Sequence, residues 1–271
     1  MDVEETLRSG KLLVVAAHPD DEVIGLGAQL PATAGRITIL HVTDGSPRNL
    51  ADARAAGYSS RQQYATGRRQ EFFNAAAIAG IHPAHCREMG LVDQEAALDL
   101  ARIAGTVRAL IAEIQPGAIF THPYEGGHPD HDAAAFGVRS AVRLLLKDAK
   151  PAPEIFEFTS YHAGRAGMAT GRFLPSDGYE VTTLPLSFDQ RLLKRRMFDC
   201  FPTQQSMLAQ FKLDAERFRR APEYSFLKPP HAGKLHYETL NWGITGQRWR
   251  ELAAEALNAL GLSINHATHG T

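Results

Sequence analysis

Cysteine is nearly absent: Cys86 and Cys200 are the two thiols in 271 residues. Two are too few for a disulfide framework, so a reducing, cytoplasmic compartment is expected, with each thiol acting as a small buried hydrophobe. An excess of either charge is also missing. The chain carries 29 Lys and Arg against 30 Asp and Glu, a formal net charge of −1. That balance offers no basic surface, so neither nucleic acid nor an anionic membrane is expected as a partner. Long hydrophobic runs are missing too: stretches such as Leu12 to Ala17 and Ala133 to Phe136 are far too short to span a bilayer. The first residues, Met1-Asp2-Val3-Glu4-Glu5, are acidic and lack the basic and apolar regions of a secretory signal. No internal repeat or low-complexity linker divides the chain. We therefore expect one domain over residues 1–271, with 151–271 as an elaborated C-terminal portion. Nothing in the sequence fixes an oligomeric state, and a homo-oligomer stays open.

What is present is alternation. Lys11 to Ala17 is a short apolar run that reads as a buried strand. Asp20 and Asp21 then stand where a helix starts, Pro31 falls late in that helix and Gly35 ends it. Arg36 to Val42 is a second strand, and Asn49 to Ser60 reads as an irregular cover. Tyr64, Arg68, Phe72, Ala75 and Ala79 share one face of a long helix over 61–80, so Arg68 interrupts an apolar stripe. A strand near His85 to Glu88, a helix from Glu95 to Ile114, a strand from Ala118 to Thr121 and a helix from His128 to Lys147 follow. Strand and helix in strict alternation predict an α/β fold: a Rossmann-like three-layer sandwich around a mostly parallel sheet, with the active site at the C-terminal edge of the strands. Later, Glu154 to Thr159 and Tyr179 to Thr183 read as strands. Phe188 to Phe201 reads as a basic helix whose charges face solvent, Gln204 to Arg220 as helical, and 222–241 as ordered loop. Thr245 to Leu260 reads as a last helix, followed by a frayed end.

Twelve histidines are more than this length needs, and several stand in pairs: His82 and His85, His128 and His131, His266 and His269, with His122 near the second pair. Two clusters close strands of the same sheet. The first is His18-Pro19-Asp20-Asp21-Glu22, after the first strand. The second is His128-Pro129-Asp130-His131, after a later one. Parallel strand ends point to one edge, so the clusters should face each other across a crevice. His18, Asp21 and His131 give three ligands with a position left open, the pattern of a catalytic zinc site, although a His₂Asp set accepts other divalent ions. Asp20, between two ligands, is placed to act as general base on a water whose pKa zinc would lower to about 7. His128, three residues before a ligand, is placed to stabilise an oxyanion or protonate a leaving group, and Asp130 to hold His128 in its tautomer.

These two clusters resemble the motifs of the PIG-L/LmbE family of zinc-dependent de-N-acetylases. Three fainter matches accompany them: Thr43-Asp44-Gly45, the Arg-x-x-Glu of Arg68 and Glu71, and the Gly-x-x-Asp of Gly90 to Asp93. The resemblance covers roughly residues 11–210. It implies the same zinc ligands, base and electrostatic partner, and it adds Arg68 and Asp93 as sugar contacts. One departure stands out. Where the family carries a Lys followed by His-x-Ser-Gln, this chain has Lys194 and then Phe201-Pro202-Thr203-Gln204.

The expected reaction is hydrolysis of an N-acetyl group on an N-acetylglucosamine-type conjugate, giving acetate and a free amino-sugar. Two alternatives differ in testable ways. An amidase would release a larger acyl group from a glycoconjugate. A non-catalytic sugar- or nucleotide-binding module would hold no stoichiometric metal, and the first turn lacks the Gly-x-Gly-x-x-Gly that cradles phosphates.

Overall fold

The computed structural model describes residues 2–165 and 167–263. The parallel half contains, in order, α1 (Val3–Arg8), β1 (Leu12–Ala16), α2 (Asp21–Leu26), α3 (Leu30–Thr33), β2 (Ile37–Thr43), α4 (Ala51–Ala55), α5 (Arg61–Ile78), β3 (Cys86–Leu91), α6 (Leu100–Ile114), β4 (Ala118–Thr121) and α7 (Pro129–Lys147). The rest contains β5 (Glu154–Phe158), β6 (Tyr161–Gly164), β7 (Gly167–Thr170), β8 (Thr182–Pro185), α8 (Phe188–Phe198), α9 (Gln205–Leu208), β9 (Ala215–Arg220) and α10 (Gly246–Ala259).

Seven strands form one sheet in the order β3-β2-β1-β4-β5-β9-β8. The first five are parallel, and β9 and β8 add antiparallel on the β5 side. Period-2 alternation sorts the side chains of β1 between two cores. Leu12, Val14 and Ala16 pack with the α2, α5 and α8 side, whereas Leu13 and Val15 pack with α6, α7 and α10. Both faces are covered, so every residue of β1, β2 and β4 is buried, as parallel strands in a three-layer fold require. The expected α/β architecture is the observed one. Strand order reverses between β1 and β4, and a crevice opens beyond strand ends at such a switch point. The two histidine clusters follow those two strands.

Several sequence expectations are corrected. The first helix does not run to Gly35. It stops at Leu26 and restarts as α3, with Pro31 at its start, where a missing N–H costs nothing. Residues 49–60 include the short helix α4. The helix expected from Glu95 begins as a 3₁₀ turn, Ala96–Asp99, before α6. The strand expected over 179–183 lies slightly later, at β8. The largest change concerns 204–220. Only Gln205–Leu208 is α-helical there, and Ala215–Arg220 is strand β9 between β5 and β8. Glu216, Phe218 and Arg219 are buried in it. Helix α8 ends at Phe198, and its Lys194 is buried rather than solvated. Lys194 Nζ donates to Glu216 Oε1 at 2.5 Å and to the Ile24 carbonyl at 2.8 Å. The β6–β7 hairpin was not foreseen. The expected frayed end, with His266 and His269, lies outside the described residues. Among the described residues no helix is long and apolar enough to cross a membrane.

Candidate active site

β1 delivers the chain into a turn that holds His18, Asp20 and Asp21. Asp20 has φ 144° and ψ −27°, a conformation that L-residues avoid. Its N–H is accepted by Glu22 Oε2 at 3.3 Å, and the same oxygen lies 2.8 Å from His41 Nε2. Neither Asp20 nor Asp21 caps the helix through its side chain. Asp21 Oδ2 instead accepts the His18 N–H at 2.8 Å and lies 3.1 Å from His18 Nδ1. Helix capping therefore does not account for these acids.

The second cluster opens α7. His128 is its N-cap residue, and its Nδ1 accepts the Asp130 N–H at 3.1 Å. Nδ1 as acceptor leaves the ring proton on Nε2. Asp130 thus fixes the His128 tautomer through its backbone amide and not, as the sequence reading had it, through its carboxylate. That carboxylate accepts the N–H groups of Gln94 (2.7 Å) and Ala96 (3.0 Å) and lies 3.2 Å from His18 Nε2. Its partners are a loop and a different histidine, which a motif spacing cannot reveal. Gly127 lets the second turn approach β6: a Cβ there would lie 1.9 Å from the Tyr161 carbonyl oxygen.

The clusters meet. Asp21 Oδ1 lies 3.3 Å from His131 Nε2, and His131 Nδ1 lies 3.3 Å from Ser160 Oγ. Asp93 Oδ1 lies 3.2 Å from His18 Nε2 and 3.5 Å from His128 Nε2. Arg68 is buried and does not snorkel to solvent. It donates to the carbonyls of Gly45 (2.9 Å) and Pro19 (2.8 Å) and to Asp20 Oδ2 at 3.2 Å. Gly45, at φ +64°, makes room for the guanidinium. Glu71 accepts from the Thr203 N–H and hydroxyl, at 3.0 and 2.6 Å, tying α5 to the 202–204 turn.

His18, Asp20, Asp21, Arg68, Asp93, His128 and His131 all line one cavity of about 370 Å³. Sequence reasoning missed several of its other lining residues. Tyr161 comes from the unforeseen hairpin, Asp52 from α4, and Trp242 from the loop before α10. His122 was noted in the sequence but given no role. It accepts the Ala17 N–H through Nε2 at 3.1 Å and stacks on His131 at 3.9 Å. A histidine directly after a buried strand was the one available signal.

The cavity floor is rich in acid, and its pKa values follow. Burial works to lower His18, but Asp93, Asp130 and Asp21 outweigh it and hold the imidazole well above its usual value. Burial pushes Asp20 up to about 8, against the pull of Arg68. Asp21 lies well below the carboxylate range, because His131 and His122 outweigh the effect of burial. His128 is held well below the usual histidine range, by burial first and then by His18. Burial lowers His122 to about 4.

An acid cluster that keeps a buried histidine protonated is a cluster that takes a cation. Among the described residues, three overlapping groups have donor atoms within 4.8 Å of one another: His18, His128 and His131; His18, Asp93, His128 and Asp130; and Asp21, His122 and His131. Imidazole nitrogens and carboxylate oxygens suit zinc and other first-row divalent ions. Asp93 Oδ1, 3.2 Å from His18 Nε2 and 3.5 Å from His128 Nε2, adds a carboxylate to this donor set. The residues present therefore fit a divalent metal ion.

Comparisons with known proteins agree with this geometry. Residues 13–142 match the family described as "PIG-L: GlcNAc-PI de-N-acetylase". A probable N-acetyl-alpha-D-glucosaminyl L-malate deacetylase 2 of Bacillus subtilis is 30% identical over 146 residues, covering 52% of this chain and 64% of that protein. A 1D-myo-inositol 2-acetamido-2-deoxy-alpha-D-glucopyranoside deacetylase of Streptomyces avermitilis is 30% identical over 169 residues, covering 54% and 56%. The chain thus matches less than two thirds of the length of these curated relatives. Among solved structures, a deacetylase of the teicoplanin biosynthesis pathway shares the fold with a TM-score of 0.60, at 18% identity over 79% of this chain and 100% of that one. Both motifs lie inside the span that matches the PIG-L family model, and their side chains gather in one cavity.

Proposed function

We propose that this protein hydrolyses the N-acetyl group of an N-acetylglucosamine-type conjugate, releasing acetate and a free amino-sugar, with zinc held by His18, Asp21 and His131. One observation carries this reading: the side chains of both motifs, with a buried carboxylate and a neutral histidine to spare, line the same cavity. When bound, the ion supplies Lewis acidity, polarising a carbonyl and lowering the pKa of a water.

The remaining chemistry falls to the chain. Asp20 takes the proton of the attacking water as its oxygen bonds to the acetamide carbon. Arg68, 3.2 Å away, orients that carboxylate. His128, neutral and protonated on Nε2, donates to the oxyanion of the tetrahedral intermediate. As the C–N bond breaks, Asp20 passes its proton to the leaving nitrogen, because a histidine held neutral has no second proton to give. Arg68 and Asp93 line the cavity where the sugar would lie and keep a contact role alongside these duties. We take residues 151–263 to belong to the same domain, since β8 and β9 extend its sheet and Trp242 reaches its cavity. Two free cysteines are in keeping with a cytoplasmic setting. Acetate release from N-acetylglucosaminides by the zinc-supplemented protein tests the proposal. Release of longer acyl groups in preference to acetate would replace it with the amidase reading, and a protein that binds no metal would exclude both.

A further inference from the structure

Part of the cavity takes no role in this chemistry. Beyond the reacting groups its wall is made by Asp52 and Ala55 of α4 and the following Ala56 on one side, and by Trp242 with the amides of Gln94 and Gln204 elsewhere. Trp242 lies with its ring 4.6 Å from that of His128, tilted by 51°, so it presents an aromatic surface beside the reacting centre. Gln204 is held in place by its bond to the Tyr64 hydroxyl at 2.8 Å. Trp242, Gln94 and Gln204 are neutral and suited to hydroxyl-rich ligands.

The charges in the lining point one way. Four carboxylates face the cavity, from Asp20, Asp21, Asp52 and Asp93, against one guanidinium, that of Arg68. Arg68 is already engaged with Asp20 and two carbonyls. A divalent ion would offset two negative charges and Arg68 a third, leaving one. Protonating Asp20 would bring the lining to neutrality, but not to a positive charge. Among the described residues, other arginines of the same region do not help: Arg48 and Arg61 pair with Glu95 and Asp44, and Arg54 does not line the cavity. Asp52 stands at the rim, exposed and within electrostatic reach of Asp93 and Arg68. A carboxylate or phosphate on the distal part of a substrate would meet like charge there and find no uncommitted cation.

We infer that the conjugate taken by this cavity carries an uncharged aglycone, a sugar or polyol, and that Asp52 is the residue that discriminates against an anionic one. This rests on the deacetylase reading, and the test keeps the two apart. Three N-acetylglucosaminides are compared with the zinc-supplemented enzyme: the methyl glycoside, the myo-inositol conjugate and the L-malate conjugate. The two neutral probes should show kcat/KM about tenfold or more above malate, with the gap narrowing as salt is raised. Asp52→Asn should narrow the neutral-to-malate ratio about threefold, and Asp52→Lys further. Equal or better turnover of malate, or a ratio indifferent to both substitutions, overturns the inference. If no probe releases acetate, the deacetylase reading fails, and calorimetric binding of the same probes decides the charge inference by itself. Neutral probes binding about tenfold more tightly than malate would support it; malate binding as well as they do, or no probe binding, would overturn it.

Discussion

Helix α2 has a charged cluster at each end, and the two are built oppositely. At its C-terminal end Lys194 and Glu216 form a closed pair. Lys194 also donates to the Ile24 carbonyl, and Glu216 accepts the Ala28 N–H at 2.8 Å and the Gln29 side chain at 3.2 Å. Charge balances there, and the groups hold α8 and β9 against the helix. At its N-terminal end the acids outnumber the cations, Glu22 Oε1 lacks a hydrogen bond, and Asp20 occupies a strained backbone conformation. Both clusters are buried, so burial by itself distinguishes nothing. Imbalance and unmet bonding next to a cavity mark the end that acts on a ligand; satisfaction marks the end that holds the fold.

The comparison can be broken most directly at Asp20. Asp20→Asn keeps the shape and removes the base, so kcat should fall by about a thousandfold or more while metal content, measured by elemental analysis, stays the same. Retained turnover would assign the base elsewhere. The opposite end should respond in stability. Lys194→Met strands the Glu216 carboxylate and should cost about 3–5 kcal/mol in denaturant unfolding, whereas the double change Lys194→Met with Glu216→Met should recover much of that loss. A third test uses pH. The raised pKa of Asp20, about 8, stabilises the metal-free fold fully below the unfolded carboxylate value of about 4, and that contribution is lost as pH rises through 8. Glu125, at about 8, and Glu157, at about 7, act in the same direction. Metal-free protein should therefore lose thermal stability between about pH 4 and 8, and Asp20→Asn should show a shallower fall. The smallest effect is that of metal removal: chelation should lower Tm by a few degrees, as expected of a ligand that binds only the folded state, and added zinc should restore it.

The parallel half was legible because its signals are local. Short apolar runs give β1, β2 and β4, and the histidine clusters stand directly after β1 and β4, so the switch point and most of the site followed from order along the chain. Arg68 could be singled out because a charge on an apolar stripe is visible in the sequence. The C-terminal part was read less well because its reasons are distant. Ala215 to Arg220, read as the end of a helix, carries three arginines and a glutamate, and nothing local marks it as a buried strand until Glu157 and Lys194 are brought to it. Arg219 donates to Glu157 at 2.8 Å across the sheet, and Lys194 reaches Glu216 from another helix. Asp130 misled in a smaller way, since its spacing suggested His128 and its carboxylate went to His18. Asp52, Tyr161 and Trp242 carry no motif. They belong to the site only because α4, the hairpin and the last loop fold over it.

The backbone at Asp20 has a consequence for how this protein can change. A φ of 144° is open to glycine and costly for aspartate, and the carboxylate there adds to an existing crowd of acids. Asp20→Gly would therefore relieve both burdens at once. The same replacement would take from buried Arg68 its one carboxylate partner and leave it two carbonyls.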